Sequence, residues 1–163
     1  MSALGCVNTL RHIEKISDMK FADFVEGQVI ELGPYELSKD ELLQFATAYD
    51  PQWFHTDEIA AASGPFGGLI ASGWHSCALA MRLVADAVLK GSESFASPGL
   101  AYIKWPHPVR AGDQLSLRIT VLEVRRSKSQ ATLGIVRWRW QMTNSAQHEV
   151  LDLEATSLFK LAA

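Results

Sequence analysis

The chain is expected to form an α+β domain in which a curved antiparallel sheet wraps around one long central helix. Three observations lead there. The stretch from Trp74 to Gly91 is long and rich in Ala, Leu and Val, and carries only one acid, one lysine and one arginine. Four long segments after it, at 99–109, 113–127, 129–143 and 149–161, read as strands that alternate apolar and polar residues. The polar turns between the last of them are short, at 111–113, 127–128 and 144–147, and short turns make antiparallel neighbours.

In chain order, residues 1–20 are weakly patterned and are read as an arm ahead of a single body at 21–163. A chain of 163 residues fits one core better than two. Residues 27–37 read as a short strand. Ser38 followed by Glu41 is a capping box, with Leu42, Leu43, Phe45 and Ala46 as the apolar run of the helix it opens. That helix should stop before Pro51, because proline disfavours helical geometry in the residue that precedes it. Residues 57–63 read as a second, short helix, and 64–73 as a loop with four glycines and one proline. In the long helix, Leu79, Leu83, Val84, Ala87 and Val88 recur at helical spacing and Gly91 is the stop. A helix apolar on most sides needs a wrapping, and the strands supply it. Leu115, Leu117, Ile119 and Val121 share one face, as do Leu151, Leu153 and Ala155. Trp138 and Trp140 also share a face, as core or dimer-interface material.

Composition excludes several function classes. Fifteen basic and eighteen acidic residues give a net charge of −3, with no basic footprint for nucleic acid and no polybasic membrane arm. No segment approaches ~18 consecutive apolar residues, so no membrane span is expected. The N-terminus lacks the apolar core of a secretion signal. Cys6 and Cys77 show no C-x-x-C spacing, which suits a reduced, cytoplasmic setting. Zinc-ligand spacing, a P-loop and G-x-S-x-G are all missing, and no metal is expected.

Two stretches carry chemistry. In Tyr49-Asp50-Pro51-Gln52-Trp53-Phe54-His55 a carboxylate and an imidazole lie five residues apart between two helices. Such a pair can meet on one water, one group taking its proton while the other orients it or moves a proton elsewhere. The same spacing also suits a helix stop and a structural loop histidine. The second stretch runs from Ser63 to Gly73 into the start of the long helix. Backbone N–H groups there are unpaired and sit at the positive end of the helix dipole, where they can stabilise an oxyanion. Ser72 serves equally well as a simple N-cap.

Taken together, the stretches resemble the MaoC-like, (R)-specific enoyl-CoA hydratase family. Its signature of an Asp, a His five residues on, an alanine-rich segment and a Gly at the helix start is met by Asp50, His55, Ala60–Ala62 and Gly73. The segment from Trp105 to Leu115 is similar to the strand-turn-strand that follows the helix in that family. The resemblance spans roughly residues 22–160 and implies the hot-dog fold. It implies hydration of a 2-enoyl thioester to an (R)-3-hydroxyacyl thioester, with no cofactor beyond the coenzyme A or carrier-protein handle of the substrate. Asp50, His55 and Gly73 would be catalytic, with Trp53, Phe54, Phe66, Gly67, Ser72 and His75 around the substrate. It also implies a homodimer or larger assembly built from dimers. The chain departs from the family where an Asn-Pro pair becomes Gln52-Trp53, and where a serine on the helix becomes Ala78. Trp53 is expected either to cap the acyl pocket or to pack under the loop, the cap being favoured. A hot-dog thioesterase and a non-catalytic acyl-thioester binder are the alternative readings.

Overall fold

The structure is a computed structural model that describes residues 19–162. Most of the arm expected at 1–20 therefore lies outside the described residues. Strand β1 is Val29–Glu36, β2 Ser94–Lys104, β3 Gln114–Arg126, β4 Leu133–Thr143 and β5 Glu149–Lys160. They form one antiparallel sheet in the order β1-β3-β4-β5-β2. Helix α1 is Lys39–Tyr49, α2 Trp53–Thr56, α3 Glu58–Ala62 and α4 Gly73–Val84. This is the hot-dog architecture, with α4 as the central helix.

Local chemistry sets the helix boundaries. Ser38 and Glu41 make the capping box of α1. Ser72 caps α4 by accepting the Trp74 N–H at 3.2 Å. Beyond Val84 the helix widens into a π-helical turn over Ala85–Leu89, and Gly91 ends it with φ of 79°.

The pleat sorts the side chains. Leu115, Leu117, Ile119, Val121, Trp138, Met142, Leu151 and Leu153 are buried against Leu79, Ala80, Val84 and Val88 of α4 and its extension. The opposite face of the sheet carries paired charges. Arg139 meets Asp152 through two hydrogen bonds of 2.8 and 2.9 Å, and the Tyr102 hydroxyl donates to the same carboxylate at 3.1 Å. These contacts tie β2, β4 and β5 together across their registers.

Two expected strand limits change. The strand expected at 99–109 runs from Ser94 to Lys104, because Pro106 and Pro108 cannot donate to a ladder. The strand expected from residue 129 begins at Leu133, after a turn that Leu133 closes by donating to Gln130 O. The central helix is only partly wrapped: Trp74 is 59% and Met81 42% exposed. One five-stranded sheet curves around one side of α4 and leaves the side next to the free edge of β2 open.

Candidate active site

Asp50 is the C-terminal cap of α1, where Pro51 breaks the helix. His55 lies one short segment later, inside α2. The two side chains converge, with His55 Nε2 3.3 Å from Asp50 Oδ2. His55 is buried, and its Nδ1–H donates to Ile70 O at 2.8 Å. That bond puts a proton on Nδ1 and turns Nε2 toward the carboxylate, so that the neutral form of the ring has its lone pair there.

Asp50 is held on both oxygens. The Ser72 hydroxyl donates to Oδ2 at 2.6 Å and Gln52 Nε2 donates to Oδ1 at 2.8 Å. The Ser72 bond holds the Asp50 pKa below the ordinary carboxylate value; burial opposes it, and Gln52 and, in its protonated form, His55 add to it. An ionised carboxylate and a neutral imidazole are both acceptors, and one water molecule has two hydrogens to give them.

The glycine-rich loop 64–72 brings the start of α4 to this pair. Arg110 fastens the loop by donating to Phe66 O and, at 3.4 Å, to Leu69 O. Ala71 N–H donates to Val109 O at 2.8 Å, and Ile70 N–H donates to Phe54 O at 3.3 Å. At the helix start, Ser72 Oγ takes the Trp74 N–H, and Ser72 O takes those of His75 and Ser76. Gly73 N–H, between them, has no partner among the described residues. A cavity of about 390 Å³ joins these groups, lined by Asp50, His55, Gly73, Ser76, Trp105 and His107 among others.

The remaining residues expected around the substrate divide. Phe66 lines the cavity. Ser72 is buried behind it and acts on Asp50. Phe54 packs edge-on against His55 at 4.3 Å between ring centroids. Gly67 sits in the loop at φ of 64°, away from the cavity lining. Trp53 does not line the cavity. Its ring lies over Gly64, where a Cβ would come within 2.7 Å of it. His75 lies on another face of α4, stacked on Phe45 at 4.4 Å, in a separate cavity with Tyr35, Glu41 and Arg82. Burial lowers the His75 pKa, with Glu41 opposing, and its Nδ1 has no hydrogen-bond partner. Sequence reasoning missed Ser76, Trp105, His107 and the clamp Arg110, and took Gln52 only as a departure. Ser76 was reachable, since it sits three residues after Gly73 on the same helix face.

Comparisons with known proteins place the chain by family and fold. A family model for the MaoC-like domain matches residues 21–139. The uncharacterized protein YdeM of Bacillus subtilis is 30% identical over 142 residues, covering 87% of this chain and 99% of that protein. The 3-hydroxyacyl-thioester dehydratase Z of Mycobacterium tuberculosis is 31% identical over 131 residues, covering 77% of this chain and 85% of the relative. The crystal structure of a MaoC-like dehydratase from Rhodospirillum rubrum superposes with a TM-score of 0.80 at 32% identity, covering 87% of this chain and 97% of that one.

Proposed function

The chain belongs to the MaoC-like domain family, and on that premise we propose that it reversibly hydrates a 2-enoyl thioester to an (R)-3-hydroxyacyl thioester. The observation that carries the reading is the convergence of Asp50 and His55, 3.3 Å apart, in one cavity with the unpartnered Gly73 N–H. The similarity to a 3-hydroxyacyl-thioester dehydratase supports the choice of substrate class.

The thioester carbonyl oxygen accepts the Gly73 N–H at the positive end of α4. Drawing charge onto that oxygen makes C3 electrophilic and stabilises the enolate that forms. A water held between Asp50 Oδ2 and His55 Nε2 attacks C3 and gives up one proton to the pair. A proton returns from the pair to C2, so that H and OH are added and nothing else is consumed. No cofactor enters beyond the thioester handle. An acyl tail too long for the first cavity is assigned to a second, apolar cavity of about 340 Å³ farther along α4, lined by Cys77, Met81, Leu89, Leu100, Trp140 and Leu153 among others.

The test is a short 2-enoyl-CoA followed in two channels at once, loss of the conjugated enoyl absorbance and release of free thiol. Absorbance loss without thiol, with a 3-hydroxyacyl-CoA of R configuration recovered, is the expected result. Thiol release with the double bond intact would make the protein a thioesterase, and tight acyl-CoA binding without turnover would make it a binder. Either result overturns the proposal.

A further inference from the structure

Trp105 follows the last residue of β2, and Pro106 and Pro108 fix the backbone behind it. Its indole lies against the first turn of α4. A Cβ placed on Gly73 would come 2.6 Å from Cε2, 2.8 Å from Cδ2 and 2.9 Å from Nε1, so the ring covers the Cα of that glycine. Trp74 meets the same indole edge-on, at 5.6 Å and 73°. Cys77 is the next neighbour along the helix: burial raises its thiol pKa and the Trp105 side chain partly offsets that.

The indole therefore stands between two spaces. The Asp50–His55 cavity takes Gly73 and Ser76 from α4 and Val150 from β5. The apolar cavity takes Cys77 and Met81 from α4 and Leu153, Ala155 and Ser157 from β5. Gly73, Cys77 and Met81 recur four residues apart along one stripe of the helix, with Ser76 on its flank. Both cavities thus lie along the same seam beside α4, Gly73 of the first and Cys77 of the second being about one helical turn, ~5.4 Å, apart. Trp105 lines the first, and Cys77, in the second, is its neighbour. Trp105 is 41% exposed in the single chain, so its ring is not locked into the core.

We infer that Trp105 is the specificity-determining residue of this site: its indole, seated on Gly73, partitions the Asp50–His55 cavity from the apolar cavity and restricts the resting site to short acyl chains. The inference rests on the proposed reading for the identity of the substrate. A thioester with C1 at Gly73 and C3 at the Asp50–His55 pair has its next carbons directed along the seam. A short tail ends before the indole, and a longer one enters the apolar cavity only by displacing it. Removing the ring joins the two spaces.

The experiment compares wild type, Trp105→Phe and Trp105→Ala on a series of 2-enoyl-CoAs from four to twelve carbons. Trp105→Ala is expected to raise the long-to-short ratio of kcat/KM by about ten- to 200-fold, the range that size discrimination in an apolar pocket supplies. Trp105→Phe, with a smaller ring and the fold retained, falls between. A ratio unchanged in both variants overturns the partition. A second arm measures equilibrium binding of saturated acyl-CoAs of the same lengths by calorimetry, where no chemistry occurs. If wild type fails to hydrate any chain but the binding preference shifts with Trp105, the hydratase reading falls and the partition stands. If wild type hydrates and neither ratio moves, the partition falls alone. Thermal melts check the contact itself: Gly73→Ala should lower Tm in the wild-type background and do so much less with Trp105→Ala, and equal losses in both backgrounds count against it.

Discussion

The Asp50 carboxylate holds one donor on each oxygen, Ser72 on Oδ2 and Gln52 on Oδ1, and both lower its pKa while His55 faces it through Nε2. Groups in such acid–base roles are typically worth ~10²–10⁴-fold each. Asp50→Asn and His55→Ala are therefore each expected to cut enoyl-CoA hydration by that order with the fold retained. The double variant should lose much less than the product of the single losses, because the pair acts as a unit. Steady-state kinetics beside circular dichroism checks both statements. Ser72→Ala follows from the direction of the Asp50 shift. A carboxylate with a depressed folded-state pKa gives stability that is present above its unfolded value, about 4, and lost as pH falls through the folded value. Without the Ser72 hydroxyl the Asp50 pKa rises, so the acid limb of the kcat/KM profile should move to higher pH. Loss of the α4 cap costs a further ~1 kcal/mol, read in a denaturant titration. The Asp50–His55 spacing was legible in the sequence because both residues belong to one short segment. The Ser72 contact was not, because it closes across twenty-two residues through a loop whose path depends on tertiary contacts. His75 was misplaced for a simpler reason. Two residues on from Gly73 is a rotation of about 200° around the helix, onto another face, whereas Ser76 returns to the cavity.

At the scale of elements, the glycine-rich loop is held in place by the connection between β2 and β3 rather than by its own sequence. Arg110 binds its carbonyls, Val109 pairs with Ala71, and the Ile70 carbonyl in turn fixes His55. Arg110→Ala should free the loop, misplace His55 and lower kcat/KM by about 10²-fold, the order expected for a displacement near 1 Å at reacting groups. Amide exchange over residues 66–71 should quicken in the same variant, and an unchanged exchange rate there would remove the clamp from the account. The expectation for Trp53 resolves into loop packing. Gly64 leaves room for the indole, and the ring lies outside the lining of the Asp50–His55 cavity, which favours loop packing over the cap. Trp53→Ala is expected to cost about 1–2 kcal/mol, below the ~3–5 of a fully buried truncation because the ring is half exposed. It should lower activity on short and long chains alike; a selective gain on long chains would assign it to the acyl pocket instead. The Gln52-Trp53 pair looked like a departure from a motif, and the geometry shows two different contacts, Gln52 on Asp50 and Trp53 on Gly64.

For the whole molecule, alternation in Leu115–Val121 and Leu151–Ala155 together with the apolar run of α4 made the architecture readable, since a period of two or of 3.6 residues survives any tertiary detail. The strand limits at Ser94 and Leu133 were less readable, because Gly99 and Pro98 in one and the turn before the other obscure the alternation. The reading that a sheet encloses the helix also missed something that bears on assembly. Of the two readings of Trp138 and Trp140, core or interface, the structure gives the core: both are buried in the single chain. The apolar surface left open is elsewhere: Trp74 and Trp105 in mutual contact, Met81 and Leu100 sharing one cavity, and Phe95 on the same edge strand. Among the described residues β2 pairs only with β5, so its other edge presents backbone groups with no partner there, beside this apolar strip. A long exposed edge of that kind is normally covered or paired, and a second copy offers a matching edge related by a twofold axis. The expected state is a homodimer joined along β2, with an interface above ~1,000 Å². Light scattering at micromolar concentration should give twice the mass of the 18.0 kDa chain. Leu100→Glu, which places a charge in the middle of the strip, should shift the protein toward monomer and, because Leu100 also lines the apolar cavity, weaken long-chain substrates first. A fully active monomer of the unaltered protein would show that the strip on α4 and β2 is covered by something other than a second copy.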